Sequence, residues 1–177
     1  MDESIFRGWD SFYVILGSAA AGLIGLLFVV VTLTASFERE KVLRAIDIYT
    51  TPVALHFALV LTTCAIAMVP RLPLSAVTTL FGLCALVGLS SAVKSCIGIR
   101  HGIPGGEPLH WSDFWLYGVV PGILYLCLAG AAAGLLMRAD WALLATAGTL
   151  LALLLTAIRN AWDLVTFMAP RVKDGAA

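Results

Sequence analysis

Residues 9–37 read WDSFYVILGSAAAGLIGLLFVVVTLTASF, and no charged residue lies between Asp10 and Glu38. A transmembrane helix needs about 20 mostly apolar residues to cross a hydrocarbon layer about 30 Å thick. This run exceeds that length, and its apolar and polar residues do not alternate as they do in the strands of a membrane barrel. The segment therefore predicts a transmembrane helix.

Four further stretches of the chain have the same character. Lipid offers backbone polar groups no hydrogen bonds, so only helices and closed barrels cross it, and we predict an all-α integral membrane bundle of five transmembrane helices. The short connections after the second and fourth spans predict antiparallel neighbours. We expect one bundle over 1–177, with spans at about 9–37, 48–69, 74–99, 114–137 and 141–162 and a short tail over 163–177.

Composition supports this assignment. The chain is 60% hydrophobic and 12% charged, whereas soluble proteins are about 45–50% apolar and about 25% charged. The 11 basic and 11 acidic residues cancel, which argues against a nucleic-acid-binding protein that depends on positive charge. We expect the lipid bilayer to be the main partner and exclude both a soluble domain and a disordered chain.

Basic residues predict the orientation of the spans, because cytoplasmic loops are enriched in Lys and Arg. With five crossings, one side receives only Arg7, Arg71 and Arg138, and the other side receives the remaining eight of the 11 basic residues. We therefore expect the N-terminus to lie outside and the C-terminus in the cytoplasm. The five tryptophans fall at or near predicted span ends, as interfacial anchors do.

Small residues recur at four-residue spacing in several spans, a pattern that lets membrane helices approach closely. Both packing within the chain and packing against a homo-oligomer or another membrane protein fit this pattern. The candidate packing residues are Gly17, Ala21 and Gly25 in span one, and Gly118, Gly122, Gly130 and Gly134 in span four. Span three has a similar series at Gly82, Ala85, Gly88 and Ala92.

Two prolines are expected to shape the spans. Pro121 lies inside span four, where it removes a backbone donor, frees the carbonyl near Tyr117 and predicts a bend. Thr51-Pro52 resembles a cap followed by the first helical position. Span two therefore has an alternative start at Thr51, with 38–49 forming a short interfacial helix.

A few polar residues lie within or beside the spans, where ionisable groups by default indicate function. One interpretation is that these residues converge on a cytoplasm-facing polar vestibule, which serves as a proton path or ligand pocket. The alternative is a hydrogen-bond and salt-bridge network that fixes helix ends, including an Arg159–Asp163 pair. The candidate vestibule residues are His56, Asp113, Tyr117, Asn160 and Asp163.

No motif indicates a catalytic centre or a cofactor. The four cysteines form no CxxC pair and are expected to be buried as small apolar side chains. His101 and His110 flank a loop that contains Glu107, and although these residue types can bind a metal, a turn-rich loop already explains the glycines and prolines. Only one histidine lies inside a span, which argues against haem. We therefore assign no catalytic residue, no metal and no cofactor.

Two segments carry a resemblance to a known group of proteins. They are GLIGLLFVVV at 22–31 and RNAWDLV at 159–165. Together they resemble small bacterial multi-span inner-membrane proteins, some of which are described as modulators of the FtsH protease. The resemblance implies a multi-pass protein of the bacterial inner membrane, and it brings no catalytic motif.

These observations lead to one expected function and two alternatives. We expect a non-enzymatic membrane protein that acts by helix–helix interaction or regulation. One alternative is an oligomeric channel or transporter for a small solute or ion. The other is a membrane enzyme or small-molecule binder that uses the polar vestibule.

Overall fold

The computed structural model describes residues 6–34, 50–101 and 111–174, and these are helical apart from short turns. The five helices are α1 Asp10–Thr34, α2 Thr51–Ala67, α3 Leu74–His101, α4 Trp111–Leu136 and α5 Ala142–Asp174. Four of them, all except α2, are long and apolar enough to cross a membrane, whereas α2 has 17 residues. The all-α fold is confirmed, and the chain is a multi-span helical membrane protein.

Two helix boundaries differ from the main prediction. Helix α2 begins at Thr51, as the alternative start requires, but Thr50 is its cap residue and makes no side-chain cap bond. Helix α5 does not end near Trp162 but continues to Asp174, because a helix can extend beyond the apolar layer into the polar headgroup region. The interfacial helix expected over 38–49 and the loop with Glu107 and His110 lie outside the described residues.

The turn between α4 and α5 is built around Arg138, which adopts the left-handed backbone conformation with φ 55°. Its N–H donates to the carbonyl of Leu135, and the N–H of Ala139 donates to the carbonyl of Gly134. This is the Schellman motif, in which glycine is the usual left-handed residue. Arg71 has φ 58° in the turn between α2 and α3. Both short connections thus reverse the chain sharply.

The helices pack side by side around a core of buried apolar residues. Helix α3 makes its most extensive contact with α4, α1 packs on α2, and α4 packs on α5, while α2 also contacts α3 and α5. Many large apolar side chains remain exposed on the outside, including Phe28, Leu126 and Leu155. Because such a surface is unfavourable in water, it indicates contact with the lipid bilayer.

Candidate functional site

Helix α4 changes its hydrogen-bond register just before Pro121. Residues Phe114–Val119 form a π-helical segment, in which the N–H of Val120 donates five residues back to the carbonyl of Trp115. The next donor in this register would be residue 121, but proline has no N–H. The carbonyl that Pro121 leaves without a helical donor is therefore that of Leu116, one residue before the predicted position.

Asn160 of α5 supplies the missing donor. Its Nδ2 donates to the Leu116 carbonyl at 2.8 Å, and the hydroxyl of Tyr117 donates back to the Asn160 carbonyl at 2.9 Å. Asn160 is fully buried. Since an unpaired buried carbonyl costs about 1–3 kcal/mol, this reciprocal pair stabilises the π segment and joins α4 to α5.

A second polar pair lies deeper in the bundle. Nδ1 of His56 on α2 is 2.7 Å from the hydroxyl of Tyr125 on α4. Both side chains are almost completely buried, with exposed fractions of 1% and 0%. Tyr125 follows Tyr117 by eight residues, or about 12 Å of helix at 1.5 Å per residue. The two pairs therefore lie at two levels of the same bundle.

Close backbone packing holds Tyr125 in place. Its ring lies directly against Gly88 of α3, so that a Cβ at that position would overlap the ring atoms. A Cβ at Gly118 would likewise overlap the Cys96 sulfur, and one at Gly122 would be 3.7 Å from the Cβ of Ala92. Glycines at these positions thus allow the extensive α3–α4 contact.

The two acidic candidates lie apart from these buried pairs. Asp113 is half-buried at the start of α4 and accepts a 3.3 Å hydrogen bond from the Ser112 hydroxyl. Asp163 forms the expected ion pair with Arg159 at 2.9 Å, and both side chains are nearly half exposed. Of the five predicted vestibule residues, the described hydrogen bonds join only Tyr117 and Asn160 directly.

The predicted small residues of α1 and α4 do not all face the same way. Some are buried inside the bundle, and others are exposed on its outer surface. Gly17 is buried, and its Cβ would lie 3.2 Å from that of Cys64, whereas Ala21 and Gly25 are exposed. Gly134 packs beneath the Trp141 ring, which a Cβ would approach to 2.7 Å, but Gly130 is exposed. A spacing of four residues drifts around the helix axis, so one series need not face one neighbour.

Sequence reasoning did not identify the partners of its own candidates. Tyr125 completes the pair with His56. The only feature of the sequence that singles out Tyr125 is its position four residues after Pro121, in a polar series that includes Tyr117. Pro121 indicates a freed carbonyl near the Leu116 position, but no residue pattern indicates that Asn160 is its donor. Both partners depend on how α2 and α5 meet α4 in three dimensions.

The described arrangement is suited to joining helices through uncharged hydrogen bonds. Within the described residues, no group of three His, Cys, Asp or Glu side chains is placed to hold a metal ion. Comparisons of the chain with protein-family models, curated proteins and solved structures find no match.

Proposed function

We propose that the protein is a non-enzymatic component of the bacterial inner membrane that acts by binding another transmembrane helix through α1. The observation that supports this is an exposed face of small residues on α1, which we call the α1 small face. It consists of Ser18, Ala21, Gly22 and Gly25.

The α1 small face has the spacing that membrane helices use for close approach. Ser18 and Gly22, and likewise Ala21 and Gly25, are four residues apart, and small-xxx-small pairs of this kind favour helix association. Apart from the adjacent backbone of α1 itself and the neighbouring residues in the chain, no described atom lies within 4 Å of the position that a Cβ would occupy at Gly22 or Gly25. Of the four long spans, α1 is also the least covered by the rest of the chain. The partner we propose is α1 of a second copy.

Replacing both Gly22 and Gly25 by Leu is expected to weaken self-association in liposomes by at least about tenfold, or about 1.4 kcal/mol. The added side chains would hold the two backbones apart. Energy transfer between labelled copies, measured across a range of protein-to-lipid ratios, reports the association.

Gly148→Leu on α5 is the matched control, because this exposed glycine also has no neighbour within 4 Å of a Cβ. It should leave association unchanged. Equal association of the double variant and the wild type, or a wild type that stays monomeric at every ratio, would contradict the proposal.

The proposed topology has five crossings, with the N-terminus outside. Helix α2 is about 25 Å long at 1.5 Å per residue, which is the lower end of the length that crosses a bilayer. Arg71 and Arg138 lie in the two short turns, while Lys94 and Arg100 lie towards the opposite end of α3. Arg159 lies about 26 Å from the start of α5 at 1.5 Å per residue. This distribution follows the enrichment of cytoplasmic segments in basic residues.

Impermeant maleimide is expected to label Arg138→Cys in intact cells and to leave Ala177→Cys unlabelled until the membrane is opened. Both substitutions are made in a chain without its four native cysteines, so each reports one position. Labelling of Ala177→Cys in intact cells would refute the orientation.

A further inference from the structure

Four buried polar atoms have no hydrogen-bond partner among the described residues. They are the Tyr13 hydroxyl, the Thr50 hydroxyl, Nε2 of His56 and Oδ1 of Asn160. Nε2 of His56 and Oδ1 of Asn160 belong to the two polar pairs that α2 and α5 each make with α4. Helices α2 and α5 also pack against each other. Each of these side chains uses one polar atom to bind α4 and leaves the other unpaired.

The His56–Tyr125 pair cannot satisfy its own protons. A neutral imidazole and a phenol have one N–H and one O–H between them, and only one of these can lie in the 2.7 Å bond. If Tyr125 donates to Nδ1, then Nε2 carries an unpaired N–H. If Nδ1 donates instead, the Tyr125 O–H loses that acceptor and Nε2 becomes an unpaired acceptor. In both cases, burial without a further partner is unfavourable.

The unpaired atoms of His56 and Asn160 lie on neighbouring helices, and both side chains bind α4. Helical side chains lean towards the N-terminus of their own helix, and the short turn at 137–141 makes α4 and α5 antiparallel. Along the bundle axis, the side chain of Tyr125 on α4 therefore points towards the height of Asn160, and the side chain of Asn160 on α5 points towards the height of Tyr125. This lean reduces the separation of about 12 Å between the two pairs along α4.

The chemistry of the interior restricts what can bind there. Besides His56, the buried polar side chains among the described residues are Asn160, three tyrosines, one serine and several threonines, with no Asp, Glu, Lys or Arg. A charged guest would lose its hydration without gaining a counter-charge, which is costly in a low-dielectric interior. A neutral O–H group is suitable, because it accepts from Nε2–H and donates to Oδ1.

We propose that His56 and Asn160 form an internal binding site between α2, α4 and α5 for a small neutral hydroxylic guest. Water and a small organic alcohol share this chemistry. The guest bridges Nε2 of His56, in the tautomer that carries hydrogen there, to Oδ1 of Asn160. It thereby connects the two polar pairs into one network.

Solid-state NMR of the full chain in lipid vesicles, with ¹⁵N-labelled histidine, tests this site. The His56 signals are identified by their loss in His56→Gln, which leaves His101 and His110 labelled. We expect a neutral ring protonated at Nε2, with magnetisation transferred to that N–H from water. In Asn160→Leu the transfer should fall at least about twofold, because one of the two anchors is lost.

An organic guest would give a different result. The Nε2–H would then correlate with carbon-bound protons, and denaturing the purified protein would release a neutral alcohol in about stoichiometric amount that His56→Gln lacks. Either guest supports the proposal. A charged imidazolium at neutral pH, or an Nε2–H that receives magnetisation from neither water nor an organic molecule, would overturn it.

Discussion

Replacing Gly88 by Ala is expected to destabilise the bundle, although alanine is the better helix former by about 1 kcal/mol. The new Cβ would occupy the space of the Tyr125 ring. Overpacking of this kind costs about 1–3 kcal/mol. Displacing the ring also breaks the bond to His56, and hydrogen bonds between membrane helices contribute about 0.6 kcal/mol on average and up to about 1.7 kcal/mol. The net loss should therefore reach about 1–3 kcal/mol, measured by reversible unfolding in mixed micelles.

Gly82→Ala is the matched control for this prediction. Gly82 lies on the same helix six residues earlier, and apart from its chain neighbours and the adjacent backbone of α3 no described atom lies within 4 Å of its Cβ position. This substitution should be neutral or slightly stabilising, because only the helix propensity changes. Equal stability of the two variants would show that the packing of the Tyr125 ring does not require a glycine at position 88.

The contrast between Gly82 and Gly88 shows what the sequence could predict and what it could not. The two glycines are part of one small-residue series, and the pattern correctly places them on a membrane helix. Their different surroundings depend on the rotation of α3 relative to α4. That rotation follows from packing between the helices, so residue spacing along one helix does not determine it. The same reasoning explains why Gly17 is buried while Gly25 is exposed.

The helices themselves were more accessible to prediction than their contacts. Runs of uncharged residues determine where a chain can enter lipid, and Pro70 and Pro73 or Arg138 and Asp140 interrupt them at the short turns. Apolar character does not indicate the extension of α5 to Asp174, because the helix continues beyond its apolar part. The π segment in α4 was missed because Asn160, which stabilises it, lies 44 residues away from Leu116.

Asn160→Leu is expected to destabilise the bundle by about 1–3 kcal/mol, because it leaves the part-buried Leu116 carbonyl without a donor at the α4–α5 contact. Leucine has the same number of side-chain heavy atoms as asparagine and the same branching at Cγ, so the change removes the amide without opening a large cavity. A second variant, Pro121→Ala, tests whether the unpaired Leu116 carbonyl causes this loss of stability. In Pro121→Ala, residue 121 regains an N–H that can reach the Leu116 carbonyl in the π register or the Tyr117 carbonyl in the α register.

The loss caused by Asn160→Leu should therefore be smaller in the Pro121→Ala background. Residues that share one hydrogen-bond network show coupling of about 0.5–3 kcal/mol in double-mutant cycles. Thr156→Val supplies the control, because the Thr156 hydroxyl bonds only to the Ala152 carbonyl of its own helix among the described contacts. Its small effect should add independently to that of Pro121→Ala. If the effects of Asn160→Leu and Pro121→Ala were also additive, Asn160 would stabilise the bundle by a route other than the carbonyl that Pro121 leaves free.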